Sequence, residues 1–382
     1  MRPPEEELTR LHEEGLLRSL RPMESGTPTL SRAEAHTLVN FSSNDYLGLS
    51  RDEALVTAAC EAAKRHGVGS GASRLISGSL PPHHALEEKI AEWKGSQAAL
   101  TFASGYATAI GVLSAFLTKG DVVILDKLCH ASLIDGARRS GATLRVYPHN
   151  DLNKLECLLK HYRELLPNDS RLLVVTESVF SMDGDRAPIP EIVNLVEQHN
   201  ALLLLDEAHA VGVLGSEGQG LAEELGLQDR ITFQMGTLGK AVGSAGGYLA
   251  ANRAWIDLLL NKARPFIYST APPPAQAAAS LCGIEVIASS RGKALRDRLW
   301  SNISRLAELL GKTPSSAIMP VILGTNEAAL DASSALLGKG YLAPAIRFPT
   351  VPRGSARLRI TLSAEHTTEA ITGLHDSLLK SS

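Results

Sequence analysis

Cysteine is scarce and scattered: Cys60, Cys129, Cys157 and Cys282 stand far apart, with no CxxC pair and no Cys/His ligand spacing. That spacing argues against a disulfide framework and against a zinc site, and leaves reduced, buried thiols as the expectation. Excess charge is missing too. A net charge of −3 supplies neither a basic field for nucleic acid nor a polybasic patch for a membrane surface. No apolar run approaches the ~20 residues needed to cross a bilayer. The first residues, with Glu5 to Glu7, lack the apolar core of a secretory leader, so the cytoplasm is the expected compartment. There is no internal repeat and no low-complexity segment.

What is present is a globular composition, 44% hydrophobic and 21% charged over 382 residues, enough for one large domain and smaller parts. From Ala98 to Ala250 short apolar runs alternate with helical stretches. The runs are Ala99–Phe102, Val122–Asp126, Leu144–Tyr147, Leu172–Glu177, Leu202–Asp206, Ile231–Met235 and Gly247–Ala250. Most are uninterrupted, as in strands buried on both faces. Tyr106–Leu117, Ala131–Arg139 and Ile189–His199 have helical length and period between them. The expected fold is α/β, a mainly parallel central sheet with crossover helices.

The flanks are simpler. An amphipathic segment around Leu8, Leu11, Leu16, Leu17 and Leu20, broken at Pro22, precedes a short strand at Val39–Phe41. Ala54–Lys64 and His83–Trp93 read as helices, the second preceded by Pro81-Pro82. Between them, the glycines from Gly67 to Gly71 form either an anion-wrapping loop or a plain connection. Beyond Pro272–Pro274 come helical segments to about 310, with a break near Gly292. Strand Ile318–Leu323, helix Glu327–Leu337, strands Ala343–Ile346 and Ala356–Thr361, and helix Thr367–Leu379 then complete a C-terminal α+β subdomain. The expected division is an N-terminal arm over 1–42, a large α/β domain over 43–284 and the subdomain over 285–382.

Chemistry concentrates at the carboxyl ends of the runs, the edge where open α/β sheets bind ligands. Gly236-Thr237-Leu238-Gly239-Lys240-Ala241 sets one lysine among glycines and hydroxyls. A lysine there serves as a phosphate contact, a surface charge or a covalent nucleophile. Asp206-Glu207-Ala208-His209 follows four leucines and suggests a DEAH-type nucleotide-binding ATPase. A phosphate loop, however, needs Ser or Thr after its lysine, and Lys240 is followed by Ala241 and lies after the acid.

The other reading joins Asp206 and Lys240 through pyridoxal 5′-phosphate. That cofactor needs a lysine amine for its aldehyde, a carboxylate at its pyridine nitrogen and donors for its phosphate. His209, just beyond Asp206, is within reach of the ring hydroxyl. Ser104-Gly105-Tyr106 opens a helix, where a hydroxyl and free backbone N–H groups favour an anion; as a plain helix cap it would be unremarkable. Thr237, three residues before Lys240, adds a second phosphate donor. Cys129-His130 begins another helix, as a cap or as an imidazole over a cofactor ring.

Several phrases closely resemble the α-oxoamine synthases, pyridoxal-phosphate enzymes of aminotransferase fold type I. They are SNDYLGLS (43–50), SGYATA (104–109), HASLIDGAR (130–138), TESVFSMDGDRAPI (176–189), DEAHAVGVLG (206–215) and TLGKAVGSAGG (237–247). IYSTAPPPAQAAA (267–279) and IRFPTVPRGSARLRITLSA (346–364) resemble most the branch that serves biotin synthesis. The resemblance implies decarboxylative condensation of L-alanine with pimeloyl-CoA or a pimeloyl carrier protein. Glycine C-acetyltransferase chemistry is the alternative within the family. It also implies that Lys240 is the covalent anchor, that Asp206 pairs with the pyridine nitrogen and that Ser181 and His209 contact the ring hydroxyl. His130 stacks on the ring, and Gly105, Tyr106 and Thr237 hold the phosphate. Thr270 reaches the phosphate of the neighbouring subunit in a homodimer with shared sites. Asn44 and Arg359 orient the amino-acid carboxylate, with Arg74, Arg347 and Arg357 as competitors, and Arg21 and Thr350 face the acyl substrate. No metal is implied.

Overall fold

Runs of aliphatic residues with no polar interruption bury both faces of a strand, and here they form a seven-stranded sheet. The computed structural model describes residues 3–18, 20, 23–24, 29–32 and 37–379. In chain order the strands are β1 (Ala98–Phe102), β2 (Val122–Asp126), β3 (Thr143–Tyr147), β4 (Leu172–Glu177), β5 (Leu202–Asp206), β6 (Phe233–Thr237) and β7 (Gly247–Ala251). Their spatial order is β1-β7-β6-β5-β4-β2-β3. β2, β3, β4, β5 and β6 run parallel, and only β7 is antiparallel to its two neighbours, β1 and β6. The expected mainly parallel sheet with crossover helices is the observed one.

Helices Gly105–Phe116, Ala131–Ser140, Leu152–Leu165 and Ile189–Gln198 make the crossovers. One side of the sheet is sealed by Phe102, Val112, Leu113, Phe116, Leu133 and Phe233, all almost fully buried. The Phe116 ring stacks on Phe233 at 4.8 Å and meets Trp255 edge-on at 4.9 Å. This packing fixes the strand ends, because interiors at crystal-like density move little.

The described chain forms two compact units. Asp45–Leu299 holds the large sheet; the residues up to Asn44 join those from Trp300 onward. In the second unit, Ile318–Gly324, Ala356–Thr361 and Ala345–Ile346 form a three-stranded sheet, and Tyr341–Leu342 pairs in parallel with Thr37–Asn40.

Several local expectations shift. The N-terminal helix, Pro4–Glu13, ends well before Pro22, because Gly15 turns the chain at φ +63° and the N–H groups of Leu16 and Leu17 bond back to Leu11 O. Pro81 and Pro82 lie inside helix Pro81–Trp93, as its first residues, where a missing N–H costs nothing. The break placed at Gly292 falls at Ser289; a Cβ on Gly292 would stand 2.2 Å from Ile287 O, so the glycine permits helix-to-turn contact instead. The cysteines are not uniformly buried. Cys129 is, but Cys60 and Cys157 are exposed on helices Glu53–His66 and Leu152–Leu165.

His366 gives the second unit a measurable acid sensitivity. Its ring stacks on Phe41 at 4.1 Å; Nδ1 accepts from Ser363 N at 2.9 Å and Nε2 donates to Asn40 O at 2.9 Å. Only the neutral ring satisfies both bonds, and burial pushes its pKa down to about 4. A depressed histidine pKa means the unfolded chain binds protons first, so stability is present above the ordinary value near ~6.5 and falls on acidification. Lowering the pH from 8 to 5 is expected to cost about 2 kcal/mol through this group. Denaturant midpoints of wild type and His366→Gln at both pH values check this; an equal acid loss in the variant contradicts it.

Candidate active site

Five parallel-running strands, β1, β2, β4, β5 and β6, present their carboxyl ends on one edge of the sheet. The residues there enclose a cavity of about 210 Å³. Gly105, Tyr106, His130, Asp206, His209, Thr237 and Lys240 all line it, seven of the expected site residues, together with Ser132, Glu177, Ala208 and Met235.

Beyond β1 the chain opens helix Gly105–Phe116 with Ser104 as its cap, Oγ accepting from Ala107 N at 3.1 Å. The amides of Gly105 and Tyr106 start the helix and have no partner within it, so they suit an anion. The Tyr106 hydroxyl is already committed, donating to Asp135 Oδ2 at 2.8 Å on the next helix. Across the cavity, Thr237 closes β6 and donates through Oγ1 to Gly246 O at 2.9 Å. Gly247 lets these segments meet. A Cβ there would fall 2.5 Å from Thr108 Oγ1 and 2.8 Å from Gly105 Cα.

Lys240 sits in the turn joining β6 to β7, a connection held by Leu238 N to Gly246 O (2.9 Å) and Ser244 N to Leu238 O (3.0 Å). Its Nζ lies 2.8 Å from His209 Nε2, and His209 Nδ1 lies 2.6 Å from the Tyr46 hydroxyl. Tyr46 is wholly buried. Lysine, imidazole and phenol thus form a chain along which a proton can shift with the histidine tautomer.

His130 is both helix cap and cavity wall. Its Nδ1 accepts from Ser132 N at 3.3 Å and meets Ser132 Oγ at 2.8 Å, while its backbone N–H donates to Glu177 Oε1 at 2.5 Å. Desolvation and the Lys240 charge lower its pKa against the pull of Asp206, so the ring is neutral near pH 7.

Asp206 and Glu177 are direct cross-strand partners at the ends of β5 and β4, 5% and 3% exposed. Burial raises the pKa of both. Lys240, the Ala208 N–H at 2.9 Å and His130 pull Asp206 back toward its charged form; the Asp206 charge helps push Glu177 up to about 8, although the His130 N–H and Lys240 pull it back. Asp206 is therefore the anion of the pair. Glu207 points the other way and ion-pairs with Lys94 at 2.6 Å, both fully buried, leaving no acidic pair free to serve Mg²⁺ as the ATPase reading needs.

The donor set fits pyridoxal phosphate: an amine, a buried anionic carboxylate, a neutral imidazole and an anion cradle of helix-opening amides around one cavity. Not every expected residue lines it. Ser181 is buried on the turn after β4, and Thr270, exposed, bridges Ser73; neither is among the lining residues. In the second unit Arg359 donates to Asn44 Oδ1 at 3.2 and 3.1 Å. Thr350 lies there on a groove of about 700 Å³ with Leu8, Arg18 and Arg347. Arg21 lies outside the described residues. Arg74 is spent on two hydrogen bonds to Glu87, donating at 2.9 Å through each arm. Tyr46 and Glu177 escaped sequence reasoning, although each stands inside a quoted motif.

A family model described as aminotransferase class I and II matches residues 36–378. The chain is 47% identical over 372 residues to the 8-amino-7-oxononanoate synthase of Anaeromyxobacter dehalogenans, covering 96% of this chain and 92% of that one. Its structure superposes on serine palmitoyltransferase from S. paucimobilis, solved with a bound PLP–myriocin aldimine, at TM-score 0.92 and 30% identity over 99% of this chain and 96% of that one. The 8-amino-7-oxononanoate synthase of Francisella tularensis matches at TM-score 0.76 and 27% identity, over 90% and 97%.

The close approach at Gly247 sets a test. Gly247→Ala is expected to lower stability by about 1–3 kcal/mol, because backbone rather than a flexible side chain must give way. Gly69→Ala, with nothing within 4 Å of the added carbon, should stay within about 0.5 kcal/mol of wild type. Urea unfolding of both variants decides, and equal midpoints would contradict the crowding.

Proposed function

The chain belongs to the aminotransferase class I and II family, among its α-oxoamine synthases, and from that premise we propose that it condenses L-alanine with a pimeloyl thioester. The products are 8-amino-7-oxononanoate, CO2 and the free thiol, a step of biotin synthesis. The observation that carries the chemistry is the single cavity in which the Lys240 amine, bonded to His209, stands with the buried anion of Asp206.

Pyridoxal 5′-phosphate, when bound, supplies the electron sink that stabilises a carbanion at the alanine Cα. Lys240 would hold its aldehyde carbon through Nζ, Asp206 would keep a proton on the pyridine nitrogen, and His209 and Ser181 would bond the ring hydroxyl. Gly105, Tyr106 and Thr237 would hold the phosphate, the first two through backbone N–H groups. His130 would face the ring. The Lys240 amine would take the Cα proton of alanine and hold it at Nζ, steadied by the hydrogen-bond chain through His209 to Tyr46. Asn44 and Arg359 orient the amino-acid carboxylate; Arg21 and Thr350 face the acyl chain. The new C–C bond would form as the thioester C–S bond breaks, the thiolate leaving to be protonated by water; the carboxylate then departs as CO2, and Lys240 returns its proton to carbon. His130, neutral and positioned at the cavity wall, polarises the acyl carbonyl.

We also assign a homodimer in which Thr270 completes the partner's phosphate site, and a cytoplasmic location. Among the described residues no helix is long and apolar enough to cross a membrane.

Wild-type protein mixed with pyridoxal phosphate is expected to gain a visible absorbance band that Lys240→Ala lacks. The same substitution should lower kcat by at least about 10³-fold, as loss of nucleophile and base together. Alanine, glycine and serine set against pimeloyl-, acetyl- and palmitoyl-CoA, read by product mass, define the substrates. Preference for glycine with acetyl-CoA overturns the biotin assignment.

A further inference from the structure

His149, two residues past the end of β3 and in the turn that follows it, belongs to none of the roles above, yet it is held on both sides. Its Nδ1 lies 3.0 Å from Asp126 Oδ1 and its Nε2 lies 2.7 Å from Asp185 Oδ2. A neutral imidazole has one N–H and would turn a lone pair toward one of the two carboxylates; only the imidazolium donates to both. The ring also stands edge-on to the buried Phe180 ring at 4.4 Å. Burial opposes this charge, but the bonds to Asp126 and Asp185 outweigh it and hold the pKa up at about 10.

The two carboxylates belong to different segments of the chain, one at the end of β2 and one in the turn after β4. Asp126 ends β2 and is fully buried; its oxygens also accept from Leu128 N at 2.8 Å and Asn150 N at 2.9 Å, and its carbonyl accepts from Cys129 N at 3.1 Å. It therefore shapes the short segment that delivers His130. Asp185 lies in the turn after β4, where Phe180 N donates to Asp185 O at 3.0 Å and Gly184 N donates to Phe180 O at 2.8 Å. That turn carries Ser181. Asn150, at φ +56°, adds Nδ2 bonds of 3.3 Å to Asp185 Oδ2 and Arg186 O.

We propose that His149 is a positioning residue, an imidazolium clamp that ties the segment 126–130 to the turn 178–187 and so sets His130 and Ser181 relative to each other. It rests on the functional reading for its consequence, since those residues are there the ring-stacking and hydroxyl-binding groups. With the clamp cut, Asn150 still bonds Asp126 on one side and Asp185 and Arg186 on the other, but the distance between the two segments is less tightly fixed. Cofactor binding and turnover then suffer while alanine binding does not.

The test is a double-mutant cycle with His149→Gln and Asp185→Asn on the full chain. Asp185 is half-exposed, so its variant keeps the cycle readable if the histidine variant folds poorly. Each single change is expected to weaken pyridoxal phosphate binding, followed by absorbance titration, about tenfold. kcat should fall by a similar factor, with KM for alanine moved less than about threefold. The double variant should be no worse than the worse single, because both cut one link. The same cycle on cofactor-free protein, read as unfolding midpoints, should also be non-additive. Additive midpoints overturn the clamp. So does coupling in stability without any change in cofactor affinity. Wild-type protein that binds no pyridoxal phosphate sinks the functional reading instead, and the midpoint cycle then judges the clamp alone.

Discussion

Two carboxylates buried side by side impose the main constraint on this molecule. The register that pairs Glu177 with Asp206 places both acids at one desolvated strand edge, where two negative charges cannot coexist without cations. The surrounding groups divide the load. Lys240, the Ala208 amide and His130 favour charge on Asp206, and Glu177 is left as a neutral acid beneath the His130 backbone. Strand alternation turns Glu207 to the opposite side of the sheet, where Lys94 neutralises it out of reach of the cavity. One short acidic motif thus feeds two separate electrostatic environments. A pyridinium nitrogen brought against Asp206 would meet the one carboxylate kept charged.

How much of this was legible in the chain depends on the distance over which each feature is decided. Strands such as Val122–Asp126 and Leu172–Glu177 announce themselves because burial on both faces leaves an unbroken apolar run. Edge strand Thr143–Tyr147, largely exposed, was traced only in part, and helices Leu152–Leu165 and Arg253–Lys262 were not singled out. Lys240, Asp206 and His130 were legible because each closes a strand or opens a helix next to one. Tyr46 was not: its bond to His209 spans 163 positions, and nothing local marks a tyrosine in a turn-rich segment as a histidine's partner. His149 was missed for the same reason, since its two carboxylates come from 23 and 36 residues away.

Local signals also misled where a later residue outcompeted an earlier cue. Pro22 was the visible helix breaker, yet Gly15 ends the first helix sooner because its left-handed backbone closes the bonds to Leu11. Arg74 stood as a competitor of Arg359 for the amino-acid carboxylate, but Glu87 claims both of its arms. Arg359 and Asn44 pair within the second unit.

The turn that bears Lys240 joins two strands that are both interior: β6 also pairs with β5, and β7 also pairs with β1. Neither leg can slide to absorb an added or deleted residue, since a shift of one position would invert every inward-facing side chain along it. An added or deleted residue must therefore be taken up between Leu238 and Gly246 itself, beside the lysine. The lysine's reach is set by strand bookkeeping that extends across the whole sheet rather than by its own neighbourhood.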